Sequence, residues 1–113
     1  MGEQSAETQV FGMLRVVPGQ RLLSYQDRKA KLSWREMSLL TALLRHRDRV
    51  VSYGRLNSQI WGVNEPELTR ALRLTVLRLR RKLITKRIEE VQISNVGGTG
   101  YRVRIIDRAS KSP

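Results

Sequence analysis

The sequence predicts an α+β domain in which a short antiparallel sheet precedes three helices and a C-terminal β-hairpin. Three observations predict this order. Short apolar segments with turn signals fill residues 11–31, apolar stripes with helical spacing fill the middle of the chain, and two β-branched segments flank a glycine cluster near the end. The 113 residues suffice for one domain. We therefore expect one domain over 10–106, with a flexible tail or linker stub over 1–9 and a flexible tail over 107–113.

The N-terminal segment has the apolar content and the turn residues of paired strands. Residues 11–17 are mostly apolar, Pro18-Gly19 is a turn signal, and residues 21–25 lead into a second polar turn. This pattern predicts two or three short antiparallel strands.

Local capping signals place the first two helices. The Ser33 hydroxyl can accept from the N–H of Glu36, while the Glu36 carboxylate can reach back to the N–H of Ser33. An apolar stripe follows, so we predict a helix over about 34–46. Ser52 is the next candidate N-cap, and Gly62 is well placed to end a second helix.

The third helix is predicted over about 66–86. Pro66 is tolerated in a first helical turn, because its missing N–H would be unpaired there. The β-branched segments 91–96 and 101–106 then predict a hairpin whose tip is the glycine-rich segment 97–100. This tip is not a phosphate-cradling loop, because such a loop needs a helix after its glycines.

Positive charge is concentrated in the third predicted helix. The chain has a formal net charge of +12 and a sequence pI of about 11.4. Residues 68–88 contain eight basic side chains and no acidic one. This excess indicates a polyanionic partner, with nucleic acid as the first candidate and an anionic membrane surface as the second.

The third helix separates into two faces when its residues are placed at 100° intervals. One face is apolar and must pack on the other helices. The opposite face has no acid to relieve repulsion and carries two leucines among its arginines, which argues against a merely solvated surface. The apolar face holds Leu68, Leu72, Thr75, Val76, Leu79 and Leu83, whereas the basic face holds Arg70, Arg73, Leu74, Leu77, Arg78 and Arg81, with Arg80 at its flank.

The major groove of double-stranded DNA fits a single helix with arginines around an apolar strip. Arginine can pair with guanine there, and aliphatic side chains can meet thymine methyl groups. A bilayer would prefer a wider apolar face, and an RNA duplex hides its major groove. We therefore expect DNA and no membrane as the partner. In the hairpin, Thr99, Tyr101 and Arg102 could lie on the DNA backbone or in the minor groove, or could be ordinary turn residues.

Other function classes have less support in the sequence. The chain has no cysteine and one histidine, His46, so no catalytic triad or metal cluster can be assembled with any specificity. We expect no enzymatic activity and no metal or other cofactor. The alternative is a protein-interaction module that binds an acidic partner, such as transcription machinery, through the same basic helix. Without a signal peptide or a membrane-length apolar run, the expected location is cytoplasmic, at the nucleoid.

Five motifs, in order along the chain, resemble the effector domain of OmpR/PhoB-type response regulators. The resemblance covers about residues 11–106 and implies a winged helix-turn-helix, with the third helix in the major groove and the hairpin as a wing. It also implies tandem dimers on direct DNA repeats and a contact with RNA polymerase through loop 62–67. The motifs are Leu32-Ser33-Trp34-Arg35-Glu36, Arg49-Val50-Val51-Ser52, Ile60-Trp61-Gly62, Leu79-Arg80-Arg81-Lys82-Leu83 and Gly98-Thr99-Gly100-Tyr101-Arg102.

The resemblance also implies roles for individual positions. Arg78 matches the arginine that reads a base. Backbone contacts on the same helix are implied for Arg70, Thr75 and Arg80, and phosphate contacts are implied for Trp61 and Tyr101. The candidate DNA-binding residues are Trp61, Arg70, Arg73, Leu74, Thr75, Leu77, Arg78, Arg80, Arg81, Thr99, Tyr101 and Arg102.

Four positions depart from the pattern of that family. Arg73 stands where an aspartate is usual, Leu77 where a polar or basic residue is usual, and Tyr53 where an arginine is frequent. Gly97 occupies the position of a wing arginine, so we do not expect the wing to read sequence. Nothing before residue 11 resembles a receiver domain. We expect an excised effector domain rather than a short regulator that never had a receiver.

Overall fold

The computed structural model describes residues 7–106, which begin with a four-stranded antiparallel sheet. Its strands follow one another in the order β1-β2-β3-β4, with a short 3-10 helix, Pro18–Gln20, between β2 and β3. Two or three strands were predicted, and the structure has four. Each strand has only three or four residues. This length is too short for the alternation of buried and exposed side chains to mark separate strands in the sequence. They are β1 (Gln9–Phe11), β2 (Leu14–Val17), β3 (Leu22–Tyr25) and β4 (Arg28–Lys31).

The predicted tails extend beyond the part of the chain that the structure describes. Residues 1–6 and 107–113 lie outside it. Gln9, which we assigned to the N-terminal tail, begins β1 and pairs with Val16.

The first helix, α1 (Trp34–Arg45), begins at the predicted capping box and ends one residue earlier than expected. The hydroxyl Oγ of Ser33 lies 3.1 Å from the backbone nitrogen of Glu36. In return, Oε1 of Glu36 lies 2.9 Å from the backbone nitrogen of Ser33. Both hydrogen bonds satisfy N–H groups that a helix terminus would otherwise leave unpaired.

The second helix, α2 (Tyr53–Trp61), is bounded by the two predicted signals. The side chain of Ser52 accepts from the N–H of Arg55, and Gly62 ends the helix in the left-handed conformation with φ of 80°. The third helix, α3 (Leu68–Thr85), is shorter than predicted. Pro66 lies in the turn before α3. Its carbonyl oxygen accepts from the N–H of Thr69, three residues later, whereas an α-helix pairs residues that are four apart.

A second sheet closes the fold. Strand β5 (Val51–Ser52) pairs with β7 (Gly100–Ile105), which also pairs with β6 (Val91–Val96), so the strand order is β5-β7-β6. The predicted hairpin is therefore confirmed, and we call β6, β7 and their connecting turn the wing. Within residues 7–106, no helix combines the length and apolar content needed to cross a bilayer.

The core lies where the three helices meet the two sheets. The apolar face of α3 contributes Leu72, Val76, Leu79 and Leu83, all buried as predicted, whereas Leu68 is half-buried. Burial of such side chains contributes about 1.5–3 kcal/mol each. Because this face packs inward, the opposite face of α3 points to solvent.

One buried carboxylate connects α1 to α3. Glu36 is only 4% exposed. Besides its capping hydrogen bond, its Oε1 lies 2.7 Å from Nζ of Lys82 on α3. A buried carboxylate is costly unless it is paired and hydrogen-bonded, and both conditions are met here. Glu36 therefore fixes the start of α1 and holds the C-terminal half of α3 beside it.

Glu36→Ala should lower the free energy of unfolding by about 2 kcal/mol, because it removes a helix cap and a charge-assisted hydrogen bond. Urea denaturation followed by circular dichroism measures this difference. The matched control is Glu67→Ala, at the N-cap of α3, where the side chain makes no capping hydrogen bond. That control should change stability by less than about 0.5 kcal/mol. Equal losses in the two variants would contradict the assigned role of Glu36.

Candidate nucleic-acid interface

The outward side of α3 carries the basic face predicted from the sequence. All six of its residues are exposed, and its two leucines, Leu74 and Leu77, are 46% and 41% exposed. The exposed face of α3 therefore combines cationic and apolar side chains. The basic face consists of Arg70, Arg73, Leu74, Leu77, Arg78 and Arg81.

The charge of the basic face is uncompensated within the described chain. The ion pairs between described residues are Arg28–Glu90 and Lys82–Glu36, and neither involves this face. Its four guanidinium groups fall within twelve residues, or roughly 17 Å of helix. The four positive charges repel one another, and a polyanion placed against the face would relieve this repulsion. The face would therefore attract a polyanion strongly.

Arg80 differs from the other arginines of α3, because its side chain is bound to the wing. Its Nε lies 3.0 Å from the carbonyl oxygen of Ile93, and its Nη2 donates to the same oxygen. This carbonyl is accessible because β6 is an edge strand of its sheet. The resemblance implied a DNA-backbone contact for Arg80, and in the structure its Nε and Nη2 hold β6 against α3.

Two further candidate residues are buried instead of presented to a partner. The Thr75 hydroxyl donates to the carbonyl oxygen of Ala71 at 2.9 Å, so its hydrogen is already used inside α3. Tyr101 is buried because β7 is the central strand of its sheet, and its ring packs edge-on against Tyr53 at 5.6 Å between centroids. Both side chains therefore lie inside the domain.

The tip of the wing is short and partly open. Thr99 is exposed, and its carbonyl accepts from the N–H of Tyr53 at 3.2 Å, which holds the tip against the start of α2. Gly97 and Gly98 have positive φ values of 25° and 70°. Arg102 is half-buried, and no acceptor among the described residues reaches its buried Nε. The wing thus offers a hydroxyl and a guanidinium at its surface.

Trp61, the last residue of α2, lies beside an arginine that the sequence did not single out as a candidate. The guanidinium carbon of Arg35 lies 5.6 Å from the centroid of the Trp61 ring. Both residues line a cleft of about 410 Å³ between the first turn of α1 and α3. In the sequence Arg35 is an unremarkable member of the capping box, and only the packing of α1 on α2 and α3 brings it to this surface.

Comparison with known proteins decides the family. A family model described as "Transcriptional regulatory protein, C terminal" matches residues 27–103. The chain belongs to this family. The resemblance to OmpR/PhoB-type effector domains is thereby confirmed, and the family is one of transcription-regulator domains, not of enzymes.

Curated relatives include whole regulators that are much longer than this chain. The response regulator MprA of Mycolicibacterium vanbaalenii is 35% identical over 103 residues, which cover 91% of this chain and 43% of MprA. The transcriptional regulatory protein CutR of Streptomyces coelicolor is 32% identical over 90 residues, covering 80% of this chain and 40% of CutR. The chain thus spans about two fifths of the length of these relatives.

Solved structures confirm the winged-helix fold. The DNA-binding domain of CpxR from E. coli superposes with a TM-score of 0.73 at 25% identity, covering 88% of this chain and 98% of that domain. The DNA-binding domain of Klebsiella pneumoniae RstA, solved in complex with the RstA box, superposes with a TM-score of 0.72 at 26% identity. The superposition with RstA covers 87% of this chain and 97% of that domain.

Arg80→Met should destabilise the winged helix by about 1–2 kcal/mol, because it removes two charge-assisted hydrogen bonds to β6. The matched control is Arg81→Met, since Arg81 is the neighbouring arginine and is exposed. This control should leave stability within about 0.5 kcal/mol of the original protein. Urea denaturation measures both variants, and amide hydrogen exchange should show faster exchange in β6 for Arg80→Met alone. Unchanged exchange in β6 would contradict a stabilising role for the hydrogen bonds from Arg80 to Ile93.

Proposed function

We propose that this domain binds double-stranded DNA sequence-specifically as part of a transcriptional regulator. In this proposal α3 enters the major groove and the wing lies on the backbone or in the minor groove. The observation that carries the proposal is the exposed basic face of α3, whose four arginines have no acidic partner among the described residues. The likeness to RstA, solved on its DNA box, supports the same partner.

The side chains of the basic face divide into two kinds of DNA contact. Arg78, which matches a base-reading position, would pair with guanine, and the exposed Leu74 and Leu77 would meet thymine methyl groups. The arginines nearer the two ends of the face, Arg70 and Arg81, would neutralise phosphates and fix the register of α3 in the groove.

The wing would add attraction rather than sequence discrimination. At Gly97 the wing has no side chain to place in the minor groove. Thr99 and Arg102 can instead contact sugar and phosphate groups, which are the same in every sequence. Discrimination between DNA sequences would therefore depend on α3.

Loop 62–67, between α2 and α3, is the proposed contact for RNA polymerase. The side chain of Asn64 in this loop packs closely against Gly54 of α2, because an added Cβ on Gly54 would lie only 2.7 Å from Nδ2 of Asn64. Val63 of the same loop is an exposed apolar side chain.

We also propose that two copies bind direct repeats in tandem, and that the protein acts in the cytoplasm, at the nucleoid.

Selection of bound sites from a random duplex library tests this function directly. We expect one enriched motif, present as direct repeats if tandem binding is correct. Affinity for that motif should fall steeply with salt, with a slope near −0.9 per neutralised phosphate and about 5–8 phosphates per domain. Equal affinity at 50 and 200 mM salt would exclude the proposed interface and favour a protein partner for the basic face.

Arg78→Ala should weaken binding to the selected motif by about 1–3 kcal/mol, because a bidentate contact to a base is lost. The loss on random duplex DNA should be much smaller. Lys86→Ala, at an exposed residue after the end of α3, is a charge-matched control and should affect both duplexes equally and weakly. Titrations by fluorescence anisotropy measure the four differences. Equal losses for Arg78→Ala on both duplexes would reduce Arg78 to a phosphate contact.

A further inference from the structure

The cleft between the first turn of α1 and α3 continues the basic face onto a second helix. Leu74 and Arg78, which belong to the basic face, form its wall on α3. Arg35 forms its wall on α1, and Trp61 from the end of α2 also lines it. Because these walls meet, a ligand lying along the basic face would also pass the mouth of the cleft.

The cleft is positively charged, although a carboxylate lies in its wall. Oε1 of Glu36 accepts from Nζ of Lys82 at 2.7 Å and from the N–H of Ser33 at 2.9 Å, so its charge is compensated. Arg35 is exposed and pairs with no carboxylate of the described residues. Together with Arg78, it leaves two unpaired guanidinium groups facing one small space.

The ring of Trp61 restricts the conformation of the Arg35 side chain. The guanidinium of Arg35 lies over the Trp61 ring at 5.6 Å, an arrangement that restricts a long side chain without using its N–H donors. Arg35 therefore loses less conformational entropy on binding than a free surface arginine would.

The positive surface extends beyond Arg35 along the same edge of the domain. Trp34 is 61% exposed, and the guanidinium carbon of Arg21 lies 4.8 Å from the centroid of its ring. Arg21, which directly precedes the third strand, thus adds a guanidinium group beside Trp34, another residue that lines the cleft.

We propose that Arg35, held over the Trp61 ring, binds a DNA backbone phosphate at the rim of the groove that α3 occupies. This inference rests on the proposed function. An α-helix with its side chains is about as wide as the major groove, so the elements on either side of it face the two phosphate backbones. The wing lies on one side of α3, and the first turn of α1 brings Arg35 to the other.

The test compares Arg35→Gln with Arg45→Gln in the whole chain, on the selected motif. Arg45 is exposed at the opposite end of the same helix, so the two variants lose the same charge. We expect Arg35→Gln to weaken binding about tenfold and to reduce the magnitude of the salt slope by about 0.9. Arg45→Gln should weaken binding less than twofold. Urea denaturation should show equal stability for both variants, because neither side chain is buried.

Neutral methylphosphonate substitutions, introduced one at a time along each strand, locate the contact. For the original protein, one position outside the bases contacted by α3 should lose affinity, and Arg35→Gln should abolish the loss at that position alone. Equal binding by the two variants, or identical methylphosphonate profiles, would overturn this inference while leaving the proposed function intact. Failure of the original protein to bind any duplex would overturn both.

Discussion

Burial of the apolar face of α3 against α1 and α2 orients every arginine of that helix. Leu72, Val76 and Leu79 are almost completely buried, and each contributes burial free energy that a rotated helix would lose. A rotation by a single residue, or 100°, would also bring arginines into the core without partners, at a cost of several kcal/mol each. The direction of the basic face is therefore a consequence of core packing.

The basic residues of α3 separate into an internal and an external set. Lys82 pairs with the buried Glu36, and Arg80 holds the carbonyl of Ile93, so both stabilise the position of the helix relative to its neighbours. The four arginines of the basic face have no such partners among the described residues. The sequence of α3 thus contains both the basic residues that fix the position of the helix and the basic residues that charge its exposed face.

Local signals in the sequence predicted the helices well, because their causes lie within a few residues. The capping box at Ser33 and the left-handed residue Gly62 act within one helical turn, and each marks a boundary that the structure confirms. The amphipathic spacing of α3 likewise predicted its buried face. The short strands of the first sheet were less predictable, since three or four residues carry little periodicity.

The exposure of the candidate DNA-binding side chains was predicted only where a residue's direction follows from its own helix. Arg80 matched a DNA contact by position, but its partner Ile93 lies 13 residues away in another element. Tyr101 is buried by strands on both sides, and Lys82 is neutralised by a residue 46 positions earlier. The position of Arg35 was not predicted for the same reason, because the packing of three helices, and not its sequence neighbours, brings it to the same cleft as Arg78.

The hydrogen bonds from Arg80 to Ile93 also have a consequence for self-association. Strand β6 is six residues long and forms an outer edge of its sheet, so its backbone groups could template a strand from another molecule. A bulky, charged guanidinium bound at the middle of this edge obstructs such pairing. A residue that orients the wing thereby also occupies a backbone acceptor that a strand from another copy of the chain would need.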